Sequence, residues 1–163
     1  MARSVSDLRV RPPPQFAPGV ITRPATLGDS DEAFAISCAA LRPHVERALG
    51  WDDAFQRRYH RQWWTPHLTQ MIVRDGVSVG VYRVDLDYGG FYIDRIAIAP
   101  ASQGIGIGRS VIESTQFIAA YAGLSVRLSV LDGNRARVLY DRLGFTVERI
   151  EQPRTHMVWR PPG

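Results

Sequence analysis

The hexapeptide Gln103-Gly104-Ile105-Gly106-Ile107-Gly108 is the strongest indication of fold in this sequence. It follows an apolar run at residues 91–99 that has the pattern of a strand, and it precedes a helix-like run at residues 109–122. A glycine-rich turn in this position lets the unpaired N–H groups of the first helical turn face an anion, and the helix dipole adds to the attraction. The segment therefore predicts a phosphate-binding loop, with a pyrophosphate as the expected ligand.

The spacing of the glycines distinguishes between the known classes of such loops. A P-loop requires Lys and then Ser or Thr after its last glycine, whereas Gly108 is followed by Arg109 and Ser110. The dinucleotide fingerprint G-x-G-x-x-G requires a third glycine where Arg109 stands, although Asp132 follows the next apolar run as a ribose-binding acid would. A turn without a ligand is the purely structural alternative, but three glycines before one helix argue against it.

The segment instead resembles the signature of the Gcn5-related N-acetyltransferases (the GNAT family), [Gln/Arg]-x-x-Gly-x-[Gly/Ala], which Gln103, Gly106 and Gly108 match. The strand before it also resembles the family pattern, with Ile96-Ala97-Ile98 and then Pro100. Residues 134–145 are similar to a second family signature, in which an Asn opens a short helix that ends in Tyr-x-x-Leu-Gly-Phe. The two signatures occur in the family's order, and the resemblance extends from about residue 21 to residue 159.

The resemblance implies a single-domain α/β (α+β) fold at residues 19–163. Residues 1–18 contain Pro12-Pro13-Pro14 and Pro18 with little periodic pattern, which predicts a flexible, proline-rich arm. The expected sheet is mixed and mostly antiparallel, with about six or seven strands and about four flanking helices. The sequence pattern agrees with this order and predicts a strand at 20–23, a helix at 29–41 that Pro43 breaks, and a helix at 52–64. It also predicts a hairpin around Asp75-Gly76, and, after the helix at 109–122, a strand at 125–131, a helix at 134–143 and strands at 145–151 and 155–159.

The activity implied by the resemblance is transfer of an acetyl group from acetyl-CoA to a primary amine by direct attack of the amine. A non-catalytic acetyl-CoA sensor with the same fold is the alternative. The N–H of Ile98 is expected to face the thioester oxygen, where one such donor is typically worth about 3–4 kcal/mol. The residues that the resemblance assigns to acetyl-CoA binding are Ile96, Ala97, Ile98, Gln103, Gly104, Ile105, Gly106, Ile107, Gly108, Arg109 and Asn134.

Two further residues are candidates for the proton transfers of this reaction. Tyr140 matches the family's general acid, because a phenol with a pKa near 10 is protonated at neutral pH and can protonate a departing thiolate. The alternative for Tyr140 is a packed aromatic side chain. Asp94 is a candidate base or amine contact on the strand at 91–99, and its alternative is a surface carboxylate paired with an arginine. Asn134 can cap its helix as well as bind the pantetheine.

The acceptor amine is less well specified by the sequence. The family commonly lines its acceptor site with the connection between the first two helices, here residues 42–53, where Trp51, Asp52, Asp53 and Glu46 could attract a cation. Core packing of Trp51 and helix-start roles for the two aspartates explain these residues equally well. Small-molecule amines, amino acids, antibiotics and peptides all remain open as acceptors.

Composition excludes several other classes of function. The formal net charge is +4, and the arginines are scattered among Asp and Glu rather than clustered, so no nucleic-acid partner is expected. No apolar run reaches the length of a membrane helix, and no signal peptide is recognisable, so no membrane partner and a cytoplasmic location are expected. The lone Cys38 and four dispersed histidines predict neither a disulfide nor a metal site. A homodimer is compatible with this interpretation.

Overall fold

The structure is a computed structural model that describes residues 15–163, so most of the arm predicted at residues 1–18 lies outside the described residues. The described chain forms seven strands in the order β1-β2-β3-β4-β5-β7-β6, together with four α-helices. The pair β4–β5 is parallel, whereas β1–β2, β2–β3, β5–β7 and β6–β7 are antiparallel, which confirms the predicted mixed sheet. The elements are β1 Val20–Pro24, α1 Ser30–Leu49, α2 Asp53–Trp63, β2 Thr69–Arg74, β3 Val77–Asp87, β4 Gly90–Ile98, α3 Ile107–Ala122, β5 Val126–Leu131, α4 Ala136–Arg142, β6 Thr146–Glu151 and β7 Arg154–Trp159.

The described residues divide into two compact units. The first unit comprises residues 16–84 and 94–108. Its core joins α1, α2 and the sheet through the buried side chains of Ala25, Ala33, Ile36, Ala40, Trp63, Met71, Val81 and Ala97. The second unit comprises residue 15 with residues 85–93 and 109–163. Its most buried apolar side chains lie on α3, β5 and β7 and include Val111, Ile112, Ala119, Val126, Leu128, Met157 and Val158.

The predicted hairpin around Asp75-Gly76 is confirmed. Strand β2 ends at Arg74, β3 begins at Val77, and these two residues are register partners. Asp75 and Gly76 both adopt positive φ angles, of 50° and 81°. Two consecutive residues in that region are what a two-residue hairpin turn requires, because its twist then matches the twist of the strands.

The predicted end of the first helix at Leu41 is wrong. Helix α1 continues through Pro43 to Leu49, where Gly50 donates its N–H to the carbonyl of Glu46 at 3.0 Å. Proline fits the φ of a helix and removes one backbone bond, at a typical cost of about 3 kcal/mol. A long helix can absorb that cost when its other turns are packed, and α1 buries Ala33, Ile36 and Ala40. The connection expected at residues 42–53 therefore shrinks to residues 50–52.

The first turn of the helical segment is fixed by the buried carboxylate of Asp29. It accepts two hydrogen bonds from the guanidinium of Arg23, at 2.8 and 2.7 Å, and two from the backbone N–H and hydroxyl of Thr26, at 2.7 and 2.9 Å. The hydrogen bonds from the Arg23 guanidinium are the main reason that the pKa of Asp29 lies well below its usual range. These bonds connect the end of β1 to the start of α1.

None of the helices within residues 15–163 combines the length and the apolar character needed to cross a membrane.

Candidate functional site

The end of β4 leads into the predicted phosphate loop through a short, tightly bonded turn. Ala99 donates its N–H to the carbonyl of Val79 on β3 at 2.8 Å. Because successive N–H groups of a strand point to opposite edges, the N–H of Ile98 points away from β3. The side chain of Gln103 donates to the carbonyl of Ile98 at 2.8 Å, so Gln103 closes the turn onto the strand. Gln103 and Ile98 therefore meet, as two of the predicted cofactor residues should.

The glycine loop, residues 103–108, has a conformation and an environment that favour a close ligand. Gly104 and Gly106 have φ angles of 80° and 87°, which L side chains rarely adopt. A Cβ built on Gly104, Gly106 or Gly108 would meet no protein atom within 4 Å. Gly108 has no positive φ, so neither backbone strain nor packing within the protein requires glycine there. Space for a bound group is the remaining physical reason for a glycine at this position.

The helix that follows the loop begins at Ile107, so its first turn includes Gly108 and Arg109. The N–H groups of a first helical turn have no partner within the helix, and they carry the positive end of its dipole. The side chain of Arg109 is exposed and pairs with Glu113 one turn later, at 3.1 Å. The loop and helix start thus place three glycines beside backbone N–H groups that have no partner within the helix.

The other predicted cofactor residues of this unit lie on the last part of β4. Ala97 is buried in the core, whereas Ile96 and Ile98 are partly exposed. The parallel ladder between β4 and β5 consists of the pairs Phe91–Val126, Tyr92–Arg127 and Ile93–Leu128. The described ladder to β5 therefore stops at Ile93, although β4 itself runs on to Ile98.

Asp94 is part of a cluster that the sequence did not predict. The indole N–H of Trp63, at the end of α2, donates to the carboxylate of Asp94. The guanidinium of Arg95 lies 4.4 Å from the ring centroid of Trp63 and 5.8 Å from that of Tyr59. We call Tyr59, Trp63, Asp94 and Arg95 the Trp63 cluster; all four belong to the first unit.

The opposite charges of the Trp63 cluster are neighbours in sequence but do not pair with each other. The Asp94 carboxylate accepts from the edge of the Trp63 indole, the Arg95 guanidinium lies over the face of the same ring, and no ion pair joins the two groups. Burial lowers the pKa of Arg95, and the nearby Tyr59 and Asp94 oppose that shift. Trp63 is also held through its carbonyl, which accepts a hydrogen bond from Arg83 at 2.8 Å. The cluster is therefore a fixed, partly desolvated pair of opposite charges around one indole.

The predicted general acid and its neighbours belong to the second unit. Tyr140 on α4 is partly buried, and desolvation raises the pKa of its phenol to about 12. Its ring packs against Phe145 with 6.0 Å between centroids. Asn134 accepts a hydrogen bond from the N–H of Ala136 at 2.9 Å, so its side chain does cap the start of α4 as predicted. Gln116 of α3 donates to the carbonyl of Leu143 at 2.8 Å and fixes the end of the same helix.

The residues that the sequence suggested for the acceptor are engaged by the protein itself. Asp52 caps α2 by accepting from the N–H of Phe55 at 2.8 Å, and Asp53 accepts from the indole of Trp51 at 2.8 Å. Arg42 lies 5.0 Å from the ring centroid of Trp51 and also pairs with Glu46 at 3.6 Å. Helix capping and contacts within the protein therefore explain these carboxylates better than binding of an acceptor does.

The sequence indicates that Asp94 and Arg95 need polar or aromatic partners, but it does not identify those partners. Asp94 and Arg95 interrupt an otherwise apolar strand, and charged residues at half-buried strand positions require partners. The aromatic face of α2, at Phe55, Tyr59 and Trp63, supplies those partners for this strand, but only the fold brings α2 and β4 together.

Within residues 15–163, no group of three His, Cys, Asp or Glu side chains is arranged to hold a metal ion.

Comparison with known proteins identifies the family of the chain. A sequence model of the acetyltransferase (GNAT) domain matches residues 66–147, which is half of the 163-residue chain and includes β4, the glycine loop and α4. The chain belongs to the GNAT acetyltransferase family. The predicted family and fold are thereby confirmed.

Curated relatives carry a more specific name. A mycothiol acetyltransferase of Kytococcus sedentarius is 31% identical over 143 residues, which cover 82% of this chain and 48% of the relative. A mycothiol acetyltransferase of Frankia alni is 29% identical over 164 residues, covering 90% of this chain and 49% of the relative. This chain therefore spans about half the length of these two relatives.

Solved structures share the fold at low sequence identity. The PaiA N-acetyltransferase of Thermoplasma acidophilum, solved in complex with coenzyme A, superposes with a TM-score of 0.71 at 14% identity. The match covers 86% of this chain and 98% of that protein. The described chain thus shares its fold with this protein.

Proposed function

We propose that this chain is an N-acetyltransferase that moves the acetyl group of acetyl-CoA to a primary amine by direct attack of the amine. The observation that carries the proposal is the glycine loop, in which three glycines have empty Cβ positions immediately before and within the first turn of α3. Backbone N–H groups in such a loop are suited to the pyrophosphate of coenzyme A. Family membership and the names of the two relatives support acetyl transfer as the reaction.

The proposal assigns acetyl-CoA binding to the glycine loop and to the strand before it. Main-chain groups of Gly104–Arg109 bind the pyrophosphate, while Ile96, Ala97 and Ile98 pair with the pantetheine arm as an added strand would. The unpaired stretch of the β4–β5 ladder and the outward N–H of Ile98 support this assignment. The Ile98 N–H then donates to the thioester oxygen, which becomes an oxyanion when the amine attacks. Asn134 contributes a further contact to the pantetheine.

Two proton transfers complete the proposed reaction. The amine nitrogen attacks the thioester carbon, the C–S bond breaks, and the departing thiolate takes a proton from the phenol of Tyr140. The phenol of Tyr140, whose pKa burial raises to about 12, is protonated at every physiological pH and so has a proton to donate. The acceptor must lose a proton before it attacks, because an alkylammonium has a pKa near 10.4. Asp94 accepts that proton, directly or through water.

The experiment that tests the proposed function is a panel of amines with acetyl-CoA, with release of free coenzyme A thiol as the readout. The panel contains small amines, amino acids, aminoglycosides and peptides with free N-termini. Amine-dependent thiol release is expected with at least one of these classes. A chain that binds acetyl-CoA but releases no thiol with any of them is a sensor of the same fold, and that result contradicts the proposal.

The acceptor in this proposal is a small-molecule or peptide amine rather than a nucleic acid. We further propose that residues 19–163 act as one acetyltransferase domain and that the reaction takes place in the cytoplasm. Both statements extend the expectations drawn from the sequence.

A further inference from the structure

Arg95 is a half-buried arginine that forms no ion pair with a carboxylate of the described residues. At least eight other arginines within residues 15–163 form ion pairs with Asp or Glu, and most of these pairs are at the surface, where they contribute little: Arg23, Arg42, Arg74, Arg109, Arg127, Arg137, Arg149 and Arg160. Arg95 is more buried than a surface arginine, yet no described carboxylate pairs with it. Asp94 acts on Arg95 through space but forms no ion pair with it, and burying a cation that no carboxylate contacts directly is costly, so this arrangement requires an explanation.

The contacts of Arg95 leave most of its donors unused. The rings of Trp63 and Tyr59 stabilise the positive charge through their faces, but a ring face offers no lone pair to an N–H. The phenol oxygen of Tyr59 is the one side-chain hydrogen-bond partner that affects its ionisation. A guanidinium carries five N–H donors in a fork that matches a carboxylate in two parallel hydrogen bonds. The Trp63 cluster therefore holds the Arg95 guanidinium in place while most of its N–H donors have no side-chain acceptor.

The neighbouring residue provides the opposite charge for the same ligand. Asp94 lies on the same strand, and its carboxylate is fixed by the indole N–H of Trp63. Both charges therefore stand on one strand, a few residues before Ile96–Ile98, and both are oriented by one side chain. A molecule with an amine at one end and a carboxylate at the other would meet both charges.

We propose that Arg95 binds a carboxylate of the acceptor, so that the acceptor is an amine of the amino-acid type with its amine directed to Asp94. This inference rests on the proposed function, because it concerns the acceptor of the same acetyl transfer. Arg95 is the specificity-determining residue, Asp94 attracts the ammonium group, and Trp63 positions both side chains. The rings of Tyr59 and Trp63 fix the guanidinium before the acceptor arrives, which lowers the entropy lost on binding.

Matched pairs of acceptors test this inference. Each pair consists of an amino acid and its carboxamide, for example 4-aminobutyrate and 4-aminobutanamide, which differ in charge but hardly in size. The unmodified protein is expected to prefer the acid of the best pair by tenfold or more in kcat/KM. In Arg95→Met this preference should fall to about one, mainly through a higher KM for the acid, whereas Arg95→Lys should retain part of it. Equal use of acids and carboxamides by the unmodified protein overturns the inference and leaves the acetyltransferase function intact.

A control variant and a binding measurement make the test independent of turnover. Arg57→Met removes another cation that lies over a ring, 4.9 Å from the centroid of Phe34, and it should leave the acid preference unchanged. Calorimetry with coenzyme A and the N-acetylated product of each pair measures binding without chemistry. Tighter binding of the N-acetyl acid than of the N-acetyl amide, lost in Arg95→Met, supports the inference. Equal binding of the two products overturns it, and a failure to bind coenzyme A counts against the proposed function instead.

Discussion

The indole N–H of Trp63 donates a hydrogen bond to the carboxylate of Asp94. This bond fixes a carboxylate on β4 by means of the last residue of α2, and it leaves the second carboxylate oxygen of Asp94 available to an acceptor. A base or an amine contact has to be held in one orientation to act at each turnover. The bond therefore gives a physical reason to test Asp94 first.

Asp94→Asn is expected to lower the rate of acetyl transfer by about a hundredfold at pH 7, because general bases typically contribute that factor or more. The amide retains the size of the side chain and an oxygen that can accept from Trp63. The deficit should narrow as the pH rises toward about 10, where the acceptor amine becomes neutral without help. Initial rates of thiol release from pH 6 to 10 measure both effects.

Asp31→Asn is the matched control for this measurement, since Asp31 is exposed on α1 in the same unit. Its rate should follow that of the unmodified protein at every pH. A constant deficit of Asp94→Asn across the pH range would reassign Asp94 from a base to an amine contact. No deficit at all would remove it from the mechanism.

Tyr140→Phe is expected to reduce kcat by about a hundredfold while acetyl-CoA binding stays the same, because only the proton donor is removed. Burial raises the pKa of Tyr140 to about 12, so the phenol is protonated from pH 7 to 10 and the deficit should be constant over that range. Steady-state kinetics and calorimetry with acetyl-CoA separate the two quantities. Tyr121→Phe, at an exposed position of α3, should change neither. An unchanged kcat in Tyr140→Phe would leave Tyr140 only its packing contact with Phe145.

Gly108→Ala tests whether glycine at position 108 is required for ligand binding or for the stability of the fold. The added methyl group meets no protein atom within 4 Å, and alanine is a better helix former, so the free energy of unfolding should stay the same or rise by up to about 1 kcal/mol. The affinity for acetyl-CoA should nevertheless fall at least tenfold, because the methyl group occupies the space assigned to the pyrophosphate. Chemical denaturation and calorimetry measure the two effects. Gly28→Ala, far from the loop in sequence, is the control and should not change the affinity for acetyl-CoA. If Gly108→Ala bound acetyl-CoA as tightly as the unmodified protein, that result would argue against a phosphate at this position.

Asp29→Asn tests the link between β1 and α1. The variant weakens hydrogen bonds to a charged group, so we expect it to lower the free energy of unfolding by about 2 kcal/mol at pH 7. The folded-state pKa of Asp29 is depressed, chiefly by Arg23, so its stabilisation is present above the unfolded pKa of about 3.9 and is lost as the pH falls below that value. Urea denaturation from pH 7 to 3 should therefore show the difference between the two proteins beginning to narrow below about pH 4. A constant difference down to pH 3 contradicts this account, and Asp31→Asn should cost less than about 0.5 kcal/mol throughout.

Local signals in the sequence were sufficient for most elements and for the glycine loop. The hairpin at Asp75-Gly76, the cap of α2 by Asp52 and the loop at residues 103–108 each depend on a few adjacent residues with a single preferred conformation. Helix α1 was predicted too short because Pro43 is a local helix breaker, whereas the length of the helix depends on packing over its whole length. The same error made residues 42–49 look like an acceptor loop.

The Trp63 cluster could not be predicted because its members come from segments about thirty residues apart. Each member has a sufficient explanation on its own: Tyr59 and Trp63 as an aromatic helix face, Asp94 and Arg95 as exposed charges. Only the packing of α2 against β4 shows that the indole N–H meets a carboxylate and that the ring meets a guanidinium. Polar interactions of this kind depend on tertiary structure, which helical and strand periodicity do not predict.

Titration of the purified chain with acetyl-CoA, and separately with NAD⁺, tests the central claim most directly. We expect one molecule of acetyl-CoA to bind per chain and NAD⁺ to give no heat of binding. Absence of acetyl-CoA binding, or binding of NAD⁺ in its place, would contradict the assignment of residues 103–108 as the pyrophosphate loop of an acetyltransferase.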